Sequence, residues 1–182
     1  MILEESRLAL PVSGDDHAKG NTHAAVTLVE YGDFQCPACG AAWPAVRQIQ
    51  RRYAGNLRLV FRHFPLAQAH PYATQAAGLA EAAAVQGRFW DMYDWLFEYQ
   101  PQWVPHGTSG LEAGVRALGL DEQAIAATLG RPEIDAHIRR DFMGGVRSGV
   151  NGTPSFYVNG CLFQGNLDEL AHGIGHVIAR QA

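Results

Sequence analysis

Three cysteines in 182 residues are too few to frame a disulfide scaffold. With 47% hydrophobic residues, the chain has enough apolar material to bury a core without cross-links. There is no basic run and no interleaving of basic with aromatic residues, which sets aside nucleic acid as a partner. Fourteen basic against eighteen acidic residues leave a formal charge of -4. No stretch approaches the roughly eighteen apolar residues of a membrane span, so no membrane-spanning segment is expected. The opening Met1-Ile2-Leu3-Glu4-Glu5-Ser6-Arg7 has acids where a signal peptide needs a basic start, and no adequate apolar run follows. As the sequence stands, the reading is cytoplasmic; the mature form of a periplasmic protein behind a new methionine would look the same. No internal repeat or low-complexity tract appears, and the expectation is one domain with room for an inserted subdomain.

What is present is a Cys-x-x-Cys pair. Cys36-Pro37-Ala38-Cys39 follows the strand-like Ala25-Val26-Thr27-Leu28-Val29-Glu30-Tyr31, so the pair sits where a strand hands over to a helix. One helical turn brings two such sulfurs within disulfide reach, and unpaired N–H groups at the helix start favour a Cys36 thiolate. An ordinary thiol, with pKa about 8.5, is only slightly ionised at neutral pH, whereas such surroundings lower the value to about 3.5–7.5. The pattern points to thiol–disulfide exchange. The same spacing serves zinc, but a second Cys-x-x-Cys pair is missing, and no metal is expected.

Residues 1–24 read as a polar lead-in that packs on the body or frays. After the first strand, Trp43, Val46, Ile49 and Tyr53 recur at helical spacing until Gly55-Asn56, and Leu57–Phe64 reads as a second strand ended by Pro65. Strand, helix and strand in this order form a βαβ unit with a parallel pair. Residues 70–148 are rich in Ala and Leu and read as a helical insertion. Its helices are predicted near 71–86, 89–99, 111–129 with a break at 119–121, and 133–148, with a Pro/Gly-rich loop at 101–110. Strands return at Ser155–Val158, Asn159-Gly160 signals a tight hairpin before Cys161-Leu162-Phe163, and a last helix spans about 167–180.

This order resembles the thioredoxin fold carrying the helical insertion of the DsbA-like thiol:disulfide oxidoreductases. The resemblance runs from about residue 24 to the end. Beyond the cysteines, it rests on Leu28-Val29-Glu30-Tyr31-Gly32-Asp33, on Phe61-Arg62-His63-Phe64-Pro65-Leu66, and on Gly149-Val150-Asn151-Gly152-Thr153-Pro154. It implies an α/β fold in which residues 25–69 and 149–182 form the thioredoxin-fold domain around an inserted subdomain at 70–148. It also implies that Cys36 is the nucleophile that forms the mixed disulfide, that Cys39 resolves it, and that Thr153-Pro154 carries a cis bond facing the pair. Thr153, Pro154, Pro37 and Ala38 would then bind an extended protein substrate, with no cofactor beyond the Cys36–Cys39 disulfide. The expected partners are protein thiols and disulfides and a separate recycling partner, with a monomer as the default.

Glu30 stands where the wider fold places a buried acid that exchanges the Cys39 proton. A solvent-facing strand carboxylate or a salt bridge is the alternative, and Asp33 competes for the role. The best-known oxidases carry Pro-His between the cysteines where this chain has Pro37-Ala38, so Cys36 is expected to be less acidic and the disulfide less oxidising. Cys161 reads as a small apolar residue on a buried strand, His172 and His176 as a surface face, and His63 as a strand-end residue near the core. The aromatics Phe89, Trp90, Tyr93, Trp95, Phe97 and Tyr99 read as core of the insertion. Two other functions compete with exchange. One is a glutathione-dependent isomerase or transferase of this fold; the other is a non-catalytic peptide- or zinc-binding module.

Overall fold

A computed structural model describes residues 2–181. The chain divides into two compact units, one comprising Met1–Gly32, Ala42–Arg62 and Met143–Ala182, the other Asp33–Ala41 and His63–Phe142.

The first unit is built on a six-stranded mixed sheet. Its strands are β1 (Ile2–Arg7), β2 (His17–Gly20), β3 (Val26–Gly32), β4 (Leu57–His63), β5 (Ser155–Val158) and β6 (Cys161–Gln164), in the order β1-β6-β5-β3-β4-β2. Val26, Leu28, Val29 and Tyr31 of β3 are fully buried, as a central strand covered on both faces requires. β5 pairs antiparallel with β3, placing Glu30 opposite Phe156 and Tyr31 opposite Ser155. The expected hairpin is present: Asn159 and Gly160 both have positive φ (49° and 82°), the combination a two-residue turn needs to match strand twist. Asn159 also accepts a bond from Thr27 N–H through Oδ1 (2.8 Å) and donates its own N–H to the Thr27 carbonyl (2.9 Å), which stitches the turn to β3.

The lead-in is not a frayed tail, because it contributes both edge strands, β1 against β6 and β2 against β4. The segment between these two strands is anchored by Arg62, a fully buried guanidinium on β4 whose five N–H groups all find acceptors. Its Nε and Nη2 grip Asp16 (2.8 and 3.0 Å), and Nη1 and Nη2 also donate to the Leu10 and Pro11 carbonyls and to Tyr31 Oη. Burial works against the charge, but the bonds to Asp16 and Tyr31 outweigh it and hold Arg62 above its ordinary pKa. A buried cation is tolerable only with this degree of pairing.

The second unit is helical. It holds α2 (Ala73–Val85), α3 (Phe89–Glu98), α4 (Gln100–Trp103), a 3-10 turn (Val104–His106), α5 (Gly107–Ala117), α6 (Glu122–Thr128) and most of α7 (Pro132–Ser148). α1 (Pro37–Arg52) begins in it, and α8 (Leu167–Ala179) belongs to the sheet unit. The predicted break at 119–121 separates α5 from α6, whose N-cap Asp121 accepts from Gln123 and Ala124 N–H. The predicted loop at 101–110 is instead helical. Pro101 and Pro105 take early positions of helical turns, where a missing N–H is not needed. Gly110 lets α5 approach so closely that a Cβ there would collide with the Trp103 backbone. Trp103, 1% exposed, donates its indole N–H to the Leu96 carbonyl (2.7 Å) and closes the corner. Proline and glycine here make a compact helical turn rather than a loop.

Candidate active site

The loop entering α1 is built by the side chain of Asp33, the first residue after β3. Its Oδ1 accepts the Gln35 N–H (2.8 Å), while Oδ2 accepts the Leu66 N–H (2.9 Å) and His70 Nδ1 (2.7 Å). The Asp33 carbonyl takes the Cys36 N–H (3.1 Å), completing a turn of the kind short polar side chains stabilise. A carboxylate holding three donors is committed to shaping the loop. Asp33, read from sequence as a rival acid to Glu30, is therefore a scaffold group.

Two neighbours fix the loop further. Phe34 is buried among aromatic rings, with centroids 5.0 Å from Phe97, 6.1 Å from Tyr93 and 5.9 Å from His63. Gln35 Oε1 accepts the Tyr72 N–H at 2.6 Å. Cys36 then stands immediately before α1, with its carbonyl accepting the Gly40 N–H (3.1 Å) as an N-cap residue does. Pro37 opens the helix at the position that suits proline best. Cys36 is 6% exposed and Cys39 fully buried, while Pro37 and Ala38 between them are exposed. The two cysteines lie near each other.

Gln100, the first residue of α4, was not foreseen. Its amide Nε2 donates to the carbonyls of Phe34 (2.7 Å) and Cys36 (3.0 Å), and the side chain is buried. No local pattern marks it, since its two partners lie 66 and 64 residues upstream.

The remaining sequence candidates fall as follows. Glu30 is fully buried in β3, not facing solvent. The Thr153–Pro154 peptide is cis, and both residues are half-buried. Cys161 is half-buried at the start of β6, paired with Val158. His172 and His176 are exposed on α8.

His63, at the end of β4, is 1% exposed and belongs to a buried polar cluster in the helical unit. Its Nε2 meets Glu81 Oε1 at 2.7 Å, and its backbone N–H donates to Asp141 Oδ2 at 3.2 Å. His137 Nε2 lies 3.5 Å from that same Asp141 oxygen. Burial opposes the charged forms of both His137 and Asp141. The His137–Asp141 contact, with the Glu81 charge acting on His137 and the His63 charge on Asp141, more than offsets it. His137 is therefore held above, and Asp141 below, its ordinary pKa.

Strand, N-capping cysteine, exposed dipeptide and buried second cysteine define a thioredoxin-type site, and residues 12–172 match the family described as Thioredoxin, to which the chain belongs. The fold is the thioredoxin fold with a helical insertion, as in DsbA-like proteins. Wolbachia pipientis α-DsbA1 superposes over 95% of both chains with a TM-score of 0.82 at 20% identity, a likeness of fold. A thioredoxin-like oxidoreductase from Silicibacter pomeroyi DSS-3 is 29% identical, with a TM-score of 0.77 over 93% of this chain and 95% of that one. The Na(+)/H(+) antiporter NhaA 1 of Salinispora arenicola (strain CNS-205) is 41% identical over 175 residues. That match takes in 94% of this chain but 26% of the antiporter, so the chain spans about a quarter of that relative's length. Among the described residues no helix is long and apolar enough to cross a membrane.

Proposed function

We propose that the chain is a protein thiol:disulfide oxidoreductase acting through Cys36 and Cys39 without an organic cofactor. The observation that carries this reading is the placement of the pair: Cys36 caps α1, where the helix N-terminus favours a thiolate, and Cys39, also buried, follows one turn on. In the oxidising direction a substrate thiolate attacks Cys36 Sγ of the disulfide. The S–S bond breaks, and the electron pair leaves on the Cys39 sulfur, which takes a proton. A second substrate thiolate then attacks the substrate sulfur of the mixed disulfide and releases the Cys36 thiolate. Two electrons have passed from the substrate to the pair, and reduction is the same sequence reversed.

Thr153, Pro154, Pro37 and Ala38 are assigned to binding the substrate chain, and exposure of the last two supports their part. Glu30 is assigned to exchanging the Cys39 proton, a role its full burial favours over a surface ion pair. A separate redox partner recycles the pair, and the working unit is a monomer.

The test is equilibration against graded glutathione buffers, with the Cys36–Cys39 state read by alkylation and mass and zinc assayed on the same sample. A reversible two-electron transition supports exchange. A midpoint of about -120 mV marks an oxidant of the periplasmic kind, and one of about -270 mV a cytoplasmic-type reductant. No transition, with stoichiometric zinc instead, overturns the proposal in favour of a binding module.

A second reading concerns context. The likeness to a segment of a Na(+)/H(+) antiporter supports a redox module that works alongside a membrane cation antiporter. Sodium-driven proton exchange in vesicles carrying a sodium/proton antiporter that is the same with the native protein, with a Cys36→Ser variant and with neither would remove it.

A further inference from the structure

Gln100 is placed to act on Cys36 through its backbone carbonyl. Two carbonyl acceptors, Phe34 O and Cys36 O, face one side-chain amide, so the nitrogen and not the oxygen must point at the loop. The Cys36 carbonyl therefore receives two donors, Gly40 N–H at 3.1 Å and Gln100 Nε2 at 3.0 Å. The other side of the amide explains a residue that the motif itself does not require. A Cβ on Gly40 would collide with Gln100 Oε1 and stand 2.9 Å from its Cδ, so glycine follows Cys39 because the amide occupies that space. Gln100 is buried, and the loop it holds is anchored independently by Asp33 and Phe34, so the amide meets a preset target.

We infer that Gln100 is a positioning residue of the redox site: its amide clamps the Phe34 and Cys36 carbonyls and thereby keeps the Cys36 sulfur over the first turn of α1 as a stabilised thiolate. This deepens the proposed exchange function and rests on it for its biological meaning. Two consequences follow from removing the amide. The Cys36 carbonyl dipole loses a compensating donor beside a developing negative charge, and the residue loses a constraint on its orientation towards the helix N–H groups. Both raise the Cys36 pKa and stabilise the dithiol less, which makes the disulfide a weaker oxidant.

The test compares the native protein with Gln100→Met, which keeps length but has no amide, and with Gly40→Ala, which pushes on the same amide from the opposite side. The rate of Cys36 alkylation by iodoacetamide is followed against pH, and the reduction potential is measured in glutathione buffers. Both variants should shift the alkylation profile to higher pH. At a fixed pH below the native midpoint, the thiolate population should fall about two- to tenfold, the range of one hydrogen bond's net worth. The plateau rate at high pH should rise by about threefold at most, because a more basic thiolate is a better nucleophile, while the rate at low pH falls; simple loosening of the loop would raise the rate at every pH. The potential should become more negative by the matching amount.

A folded Gln100→Met whose pH profile coincides with the native one overturns the inference. If Gln100→Met does not fold, an unshifted profile in Gly40→Ala does the same. A native protein with no redox transition would sink the exchange function, yet the alkylation profiles would still decide the role of Gln100.

Discussion

Replacing Asp16 by asparagine should strongly destabilise the sheet unit. The substitution keeps shape but removes the negative charge beside Arg62, whose side chain and that of Asp16 are 0% and 1% exposed. The guanidinium cannot neutralise itself by losing a proton. It would keep its bonds to the Leu10 and Pro11 carbonyls and to Tyr31, but a buried charge would stand without its counter-charge. Breaking a buried pair by removing one partner costs about 3–5 kcal/mol. With a urea slope of about 2 kcal/mol per M, the unfolding midpoint should fall by about 1.5–2.5 M. Circular dichroism and tyrosine/tryptophan fluorescence in urea titrations would read it. The companion variant Arg62→Met with Asp16→Leu removes both charges and should recover most of the loss, because well-packed apolar replacements of a buried pair are often neutral. A midpoint shift below about 0.3 M for Asp16→Asn would refute the argument, showing that water or other groups carry the Arg62 charge.

Ala38→His should place a cation beside the Cys36 thiolate, lower its pKa and make the disulfide more oxidising. A stabilisation of about 1.4 kcal/mol corresponds to about 30 mV, and an unmoved potential and pKa would remove the basis for reading Pro37-Ala38 as a milder dipeptide. Cys39→Ser should trap mixed disulfides on Cys36 when mixed with an oxidised protein substrate, seen as an added mass lost on reduction; no adduct would count against Cys39 as the resolving thiol. In the helical unit, Gly110→Ala drives a methyl into the Trp103 backbone and should cost about 1–3 kcal/mol in urea unfolding, with native-like stability contradicting the close approach. The Asp141 and His137 shifts predict a stability plateau. Asp141, depressed from 3.8, contributes fully above that value and loses its contribution as pH falls through its folded value. His137, raised from 6.5, contributes fully below that value and loses it as pH rises through its folded value. Urea midpoints should thus be highest between the two and decline towards alkaline pH, and Asp141→Asn should flatten both edges; a profile identical to the native one would rule the pair out.

The sequence determined the elements whose signals are local. A short run rich in Val, Thr and Leu made β3, the Asn159-Gly160 pair made the hairpin, and the cysteine pair falls directly after that run where a helical pattern begins. Those are decided by neighbours in the chain, so one sequence suffices to read them. Other features were decided by residues that meet only after folding. The lead-in became two edge strands by pairing with β6 and β4, and a guanidinium some fifty residues later holds the carbonyls of the segment between them. The Pro/Gly stretch at 101–110 became helix because Trp103 and Gly110 pack closely there. Asp33 became a scaffold group, and Gln100 the clamp on the Cys36 loop, through hydrogen bonds to distant backbone. Local propensity carries no information about such pairs. Their physical cause is that a buried polar group must find a partner wherever the tertiary fold supplies one.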